Sequence, residues 1–340
     1  AQIYKSRDPE TGQHLGGPAY YFERCLGWKW YGIVFAISAV ISCGIFLLGP
    51  QANGMANAVV QVIGEGTVVN SGIAGEIGIY RLTATAFTLL LLAFIIFGGI
   101  KRIANFAEVV VPFMAIAYIG LALIIVAINI THVPELIALI IGDAFSPQAG
   151  FGAAIGWGVK RGIYSNEAGQ GTGAHPAAAA DVEHPVQQGL IQAFSVYITT
   201  LLVCSATALV ILMTKQYNVV ADQTFAGAGT QYIASYLQDA AGAVIHADPN
   251  SPAFTQIGME SVFGKIGPVL VAIAIFFFAF TSILAYYYIA ETNIIYLAQK
   301  LGLRHNATLV VKISAMLAVG YGSINSAGYI WNIGEIGVGM

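Results

Sequence analysis

Charge is what this sequence has least of. Asp, Glu, Lys and Arg make up 9% of its 340 residues, against roughly 25% in soluble domains. A soluble enzyme of this length could not cover its surface with so few, and a disordered chain would need far more polar residues. The net charge of −3 is too small to imply a polyanionic partner, which excludes nucleic-acid binding. Cysteine is also scarce. Cys25, Cys43 and Cys204 lie in or beside apolar stretches with no CxxC spacing, so a disulfide scaffold is excluded, and the three read as small buried residues. There is no initiator methionine and no signal peptide of charged, apolar and small-residue regions. No GxxxxGK[ST] phosphate loop and no recognisable nucleophile constellation occurs, so no catalytic residue is expected.

What is abundant is apolar. Such residues form 57% of the chain and the mean hydropathy is +0.74, which points to an all-α integral membrane protein. A helix crossing about 30 Å of hydrocarbon needs about 20 apolar residues. Windows of that kind run from Trp30 to Leu48 (at most to Ile63), Leu82 to Gly99, Val109 to Ile128, Leu190 to Met213, Val269 to Ala290 and Thr308 to Ile324. A seventh, Gly152 to Ala180, carries Lys160, Arg161 and Glu167. Leu136 to Ile141 is too short to span and is expected at a membrane face. Tyr329 to Met340 begins an apolar run that is also too short. Seven spans and a partial one make residues 1–340 a single transmembrane domain, expected to be an internal fragment of a longer protein.

The few positive charges set a direction. Lys5, Arg7, Arg24, Lys29, Lys101, Arg102, Lys300 and Arg304 fall in connections on one side, whereas Arg81, Lys215 and Lys265 fall on the other. Cytoplasmic loops are enriched in Lys and Arg, so Ala1 is expected in the cytoplasm, with 1–29 as a cytoplasmic interfacial segment. Residues 214–264 then form an extracellular loop.

Polar groups at membrane depth are costly and mark candidate sites. Gln51 and Asn53, late in the first span, serve either as interhelical glue or as ligand contacts. Gly158 to Gly173 holds five glycines among Tyr164, Ser165, Asn166 and Glu167. A straight helix is disfavoured there, since each glycine costs about 1 kcal/mol against alanine. Unwound backbone at membrane depth must line a cavity or be buried in protein, and it offers N–H and C=O groups to a zwitterion or a cation. A re-entrant loop or a cytoplasmic connector is the alternative. Thr281 and Ser282 either bond back to the preceding helical turn or join an all-oxygen cation shell. His175, Asp181, Glu183 and His184 raise a metal site without a ligand signature. Asp181 instead suits the cap of the next helix, with Pro185 near its first position.

The stretch Tyr164-Ser165-Asn166-Glu167-Ala168-Gly169-Gln170-Gly171, extended through His175-Pro176 and Glu183-His184-Pro185, resembles the signature of the sodium:alanine (alanine/glycine:cation) symporter family. Gly16 to Tyr21, Gln51-Ala52-Asn53, Gly98 to Ile103, Val111 to Met114 and Ala144 to Ala149 support the likeness almost end to end. The resemblance implies a LeuT-like inverted-repeat fold, incomplete here, because its first two helices and its C-terminal end lie outside this sequence. It implies sodium-coupled uptake of a small neutral amino acid, alanine or glycine, across the inner cell membrane by alternating access. Its partners are that amino acid, sodium and the lipid bilayer, with sodium as coupling ion and no cofactor. It gives Gln51, Asn53, Tyr164, Ser165, Asn166 and Gly169 to the substrate and Thr281 and Ser282 to sodium; Glu167 ties the broken helix to its neighbours. A metal-dependent membrane enzyme and a proton-coupled or non-transporting amino-acid-binding relative are the other readings.

Overall fold

The computed structural model describes residues 1–8, 12–70, 75–145, 151–220, 232–236, 238, 251–302 and 304–340. Helices dominate. The N-terminal segment ends in α1 (Pro18–Leu26), which opens on a proline in its first turn and stops at Gly27, in the left-handed region at φ 71°. Then come α2 (Lys29–Ile63), α3 (Ile79–Ile96), α4 (Ile100–Ile128), α5 (Val133–Ala144), α6 (Phe151–Ser165), α7 (Ala174–Ala179), α8 (Pro185–Met213), α9 (Ala253–Phe263), α10 (Ile266–Leu301), α11 (Arg304–Ile324) and α12 (Ala327–Gly339). Among the described residues three antiparallel strand pairs occur, the first before α1: Ser6–Arg7 with His14–Leu15, Val68–Asn70 with Glu76–Gly78, and Asn218–Val220 with Tyr232–Ser235.

Among the described residues, α2, α3, α4, α8, α10 and α11 from Ala307 are long and apolar enough to cross a membrane. That is six, where the sequence suggests seven. The difference is Gly152–Ala180, which divides into α6 and the six-residue α7 around turns at 166–173. Neither piece spans alone, because Asn166 and the glycines after it give the backbone turn bonds in place of a continuous ladder. The first span takes its long limit, running unbroken from Lys29 to Ile63 through a π-helical turn at Ser42–Phe46. The short apolar stretch at 136–141 lies within α5, and the run from Tyr329 within α12.

Two local expectations are corrected. The cap of α8 is His184, not Asp181: the His184 ring accepts the Val186 N–H at 3.2 Å, and the Gln187 side chain returns to the His184 N–H. Pro185 at the first position leaves no N–H to compete, which lets a ring nitrogen do what a carboxylate usually does. Of the cysteines, only Cys43 is buried, while Cys25 and Cys204 sit on the outer surface of the chain. Within 214–264, α9 packs along α10 and buries Gln256 completely.

At the centre stands α10, packed on α2, α4, α9 and α11. Phe280, Ile283, Leu284 and Tyr287 are fully enclosed with Leu47, Leu48, Leu92 and Ile96, and Phe106 meets Phe280 edge-on at 5.5 Å. Lipid tails are as apolar as these side chains, so close fit, not escape from water, holds such helices together. The tightest approach is backbone on backbone: a β-carbon at Gly322 of α11 would collide with Gly49 of α2. Its 36 residues carry α10 about 54 Å at 1.5 Å per residue, beyond the hydrocarbon and onto the N-terminal segment.

Candidate functional site

The interrupted helix supplies the most unusual backbone. Asn166 ends α6 and turns its side chain on the chain itself, its Oδ1 accepting the Ala168 N–H at 2.9 Å. Gly171 takes φ 73°, a conformation rarely adopted by L side chains. Gly169 lies against Ile163, where a β-carbon would fall 2.9 Å from the Ile163 backbone. The turn is pinned by Glu167, whose carboxylate accepts from the Thr172 hydroxyl and from Tyr286 of α10. Cys43, in the π-helical turn of α2, lies in the field of the same carboxylate. Glu167 thus fastens the break to α10, as the resemblance implies.

Beyond the break, His175 opens α7 with its ring fully buried. Its Nε2 faces the Asn293 amide nitrogen at 2.8 Å, and its Nδ1 faces the Thr172 carbonyl at 2.8 Å. An amide nitrogen only donates, so Nε2 accepts and the proton sits on Nδ1, giving a neutral imidazole with both nitrogens engaged. Phe35 stacks on the ring at 6.2 Å, and a β-carbon at Gly17 would fall 2.5 Å from it. Gln2 donates to the carbonyls of Ala177 and Ala180 at 2.6 and 2.7 Å, and Lys5 to Ala180 at 3.3 Å. Those carbonyls end α7, where free C=O groups need donors and favour a cation. Asp181, Glu183 and His184 are exposed and do not join His175. Among the described residues no three His, Cys, Asp or Glu side chains gather as a metal site.

The remaining sequence candidates divide. Asn53 is wholly buried, and its amide donates to the carbonyls of Gly322 at 2.9 Å and Asn325 at 2.8 Å, while its oxygen accepts from Asn57 at 2.7 Å. It therefore caps the C-terminus of α11, the glue role. Gln51, two residues before, is half-buried and bonded. Ser165 is half-buried and donates to Gly162 at 3.1 Å, and Gly169 is exposed. The Tyr164 side chain lies outside the described residues. Thr281 donates to the Phe277 carbonyl at 2.9 Å and Ser282 to Phe278 at 2.9 Å. These are helical back-bonds. Each uses the hydroxyl proton and leaves oxygen lone pairs for a cation.

Sequence reasoning missed a polar ladder. Asn53, Asn57 and Gln61 recur every four residues and so share one face of α2. That spacing in an apolar helix was the available signal. The ladder ends at Arg81, which donates to Asn57 at 2.8 Å, to the Ser323 carbonyl at 3.1 Å and to Glu65 at 3.2 Å. Also missed were Glu291, which accepts from the Tyr287 hydroxyl at 2.7 Å, and Asn293, the partner of His175.

Comparison with known proteins agrees with the resemblance. The sequence model of the sodium:alanine symporter family matches residues 1–340. The chain is 48% identical, over all of its length, to a putative sodium/proton-dependent alanine carrier protein of Bacillus subtilis. It is 42% identical over 88% of its length to the sodium/proton-dependent alanine carrier protein of Bacillus sp. strain PS3. Against a probable sodium/glutamine symporter of Bacillus subtilis it is 33% identical over its whole length. The chain spans 65%, 62% and 62% of these relatives' own lengths.

Proposed function

Starting from a chain that belongs to the sodium:alanine symporter family, we propose that the protein of which it forms part is a secondary transporter that carries a small neutral amino acid, alanine or glycine, together with sodium. The observation that carries this reading is the break between α6 and α7, pinned to α10 by Glu167. Turns inside a bundle leave N–H and C=O groups outside the helical ladder, and a zwitterion needs both kinds. Relatives described as sodium/proton-dependent alanine carriers support the substrate and the use of a coupling cation.

In this reading Ser165, Asn166 and Gly169 meet the substrate from the break, Tyr164 walls it, and Gln51 approaches from α2, while Asn53 holds α2 to the end of α11. Thr281 and Ser282 give hydroxyl oxygens to sodium, a hard cation that prefers an all-oxygen shell. The fold is LeuT-like, and Ala1 faces the cytoplasm of a cell whose inner membrane holds the protein. Sodium entering down its gradient contributes about 2.3 kcal/mol per charge per 100 mV. Nothing in the geometry favours the enzyme alternative, since its residues do not converge.

The test is alanine uptake into vesicles holding the intact protein. Uptake should require sodium, and Thr281→Ala with Ser282→Ala should raise the sodium concentration needed for half-maximal rate. Uptake that follows a proton gradient and ignores sodium would overturn the coupling assignment.

A further inference from the structure

The end of the bundle away from the N-terminal segment holds a cavity of about 500 Å³. It lies between the C-terminal half of α2, the strand Glu76–Gly78, the start of α3, the start of α9 and the link between α11 and α12. Asn57, Gln61, Glu65, Arg81, Gln256 and Asn325 line it. Three features single it out from an ordinary surface cleft.

Arg81 is fixed. Its side chain is 14% exposed and is held by the Ser323 carbonyl and Asn57. A guanidinium has five N–H donors, more than its three bonds here use. Its acidic partner is loosely held by comparison: Glu65 is 44% exposed and lies just past the end of α2, between Gly64 and Gly66, both at positive φ. Glu76 brings a second carboxylate to the same wall. Finally, Gln256 is wholly buried, and its nitrogen donates to the carbonyls of Ala58 at 2.9 Å and Pro268 at 3.2 Å. Its Oε1 has no hydrogen-bond partner, and a buried acceptor left unmade is costly. An orphaned amide oxygen beside a cavity calls for a donor.

We propose that this cavity is an outer binding site for a small zwitterionic amino acid, its carboxylate taken by Arg81 in place of Glu65 and its ammonium by the released Glu65 and the Gln256 oxygen. A plain anion would face two carboxylates against one guanidinium, and a plain cation would leave the spare N–H donors of Arg81 unused; a zwitterion engages both. The site deepens the transport reading, since its ligand is the proposed cargo. Asn57 and Asn53 connect it, rung by rung, to the part of α2 beside Gln51.

The experiment uses the intact protein purified in detergent, with the exposed Cys25 and Cys204 changed to Ser and the rim residue Gln61 changed to Cys. The rate at which a thiol reagent labels position 61 is read with alanine, alaninamide or lactate present. Alanine should slow labelling severalfold, and neither single-charge analogue should. Arg81→Gln should abolish the protection. Because Arg81 also caps α11, Glu65→Gln serves as the variant that leaves the fold alone. It should weaken protection by alanine and let lactate protect, since Glu65, the carboxylate bonded to Arg81, no longer competes. Unchanged protection by alanine in both variants, or none in the parent protein, overturns the site. Uptake by the parent protein is measured alongside: uptake without protection removes only the outer site, and protection without uptake removes only the transport reading.

Discussion

Asn53 shows how much one side chain can settle inside a bundle. The last carbonyls of a helix have no partners within it, and Asn53 answers two of them on α11 from 269 and 272 residues away. Asn53→Leu would keep the volume and orphan both, a loss of about 1–3 kcal/mol for each buried acceptor. The thermal midpoint of the detergent-purified protein should fall accordingly, whereas Gln51→Leu, at a half-buried position, should leave it nearly unchanged and act on uptake. The sequence made Asn53 conspicuous, because an amide in an apolar run needs a reason. It could not say which reason, because the partner carbonyls belong to a distant helix end. The same limit hid the cap of α8: Asp181 has the right chemistry in the wrong place, and the backbone geometry, not composition, selects His184.

At the level of elements, the break was legible and its consequence was not. Five glycines in Gly158–Gly173 foretold unwinding, yet the stretch still read as one span because its flanks are apolar. Whether the halves align across a gap depends on what grips them, and the grips are Tyr286, Asn293 and Gly17, each far away in the chain. Contact between α2 and α11 depends likewise on two glycines 273 positions apart in number, Gly49 and Gly322. Gly322→Ala would force the helices apart at a cost of about 1–3 kcal/mol for an overpacked site. Melting should register that loss, and Gly54→Ala, on α2 with open space around it, is the control that should not.

Over the whole molecule, the two ends are fastened by different chemistry. At the N-terminal end Glu23 of α1 accepts from Lys300 and from the Tyr296 hydroxyl at 2.7 Å, both on the projecting end of α10. Burial alone would raise the Glu23 carboxyl, but the bonds from Lys300 and Tyr296 and the nearby lysine charges outweigh it and hold it below the ordinary value. A depressed carboxyl stabilises the folded state above the ordinary glutamate range, and that contribution is lost as pH falls through the folded-state value. Glu23→Gln should therefore lower the melting midpoint near neutral pH, by the modest amount expected of a pair with Lys300 40% exposed. The difference from the parent protein should close in acid, and a gap that persisted there would remove Glu23 as its source. At the other end the fastening is by amides and Arg81. Joining the two ends is α2, and its π-helical turn at Ser42–Phe46 sets their angular phase. Gly32, before that turn, packs on Ala19 and Tyr296; Asn53, after it, must meet α11. Each residue advances a helix by about 100°, so deleting one residue from the turn would rotate everything beyond it by that amount. Asn53, Asn57 and Gln61 would then swing off their partners together, while the N-terminal end stayed seated. One surplus residue keeps both ends of a single rod in register with two different neighbours.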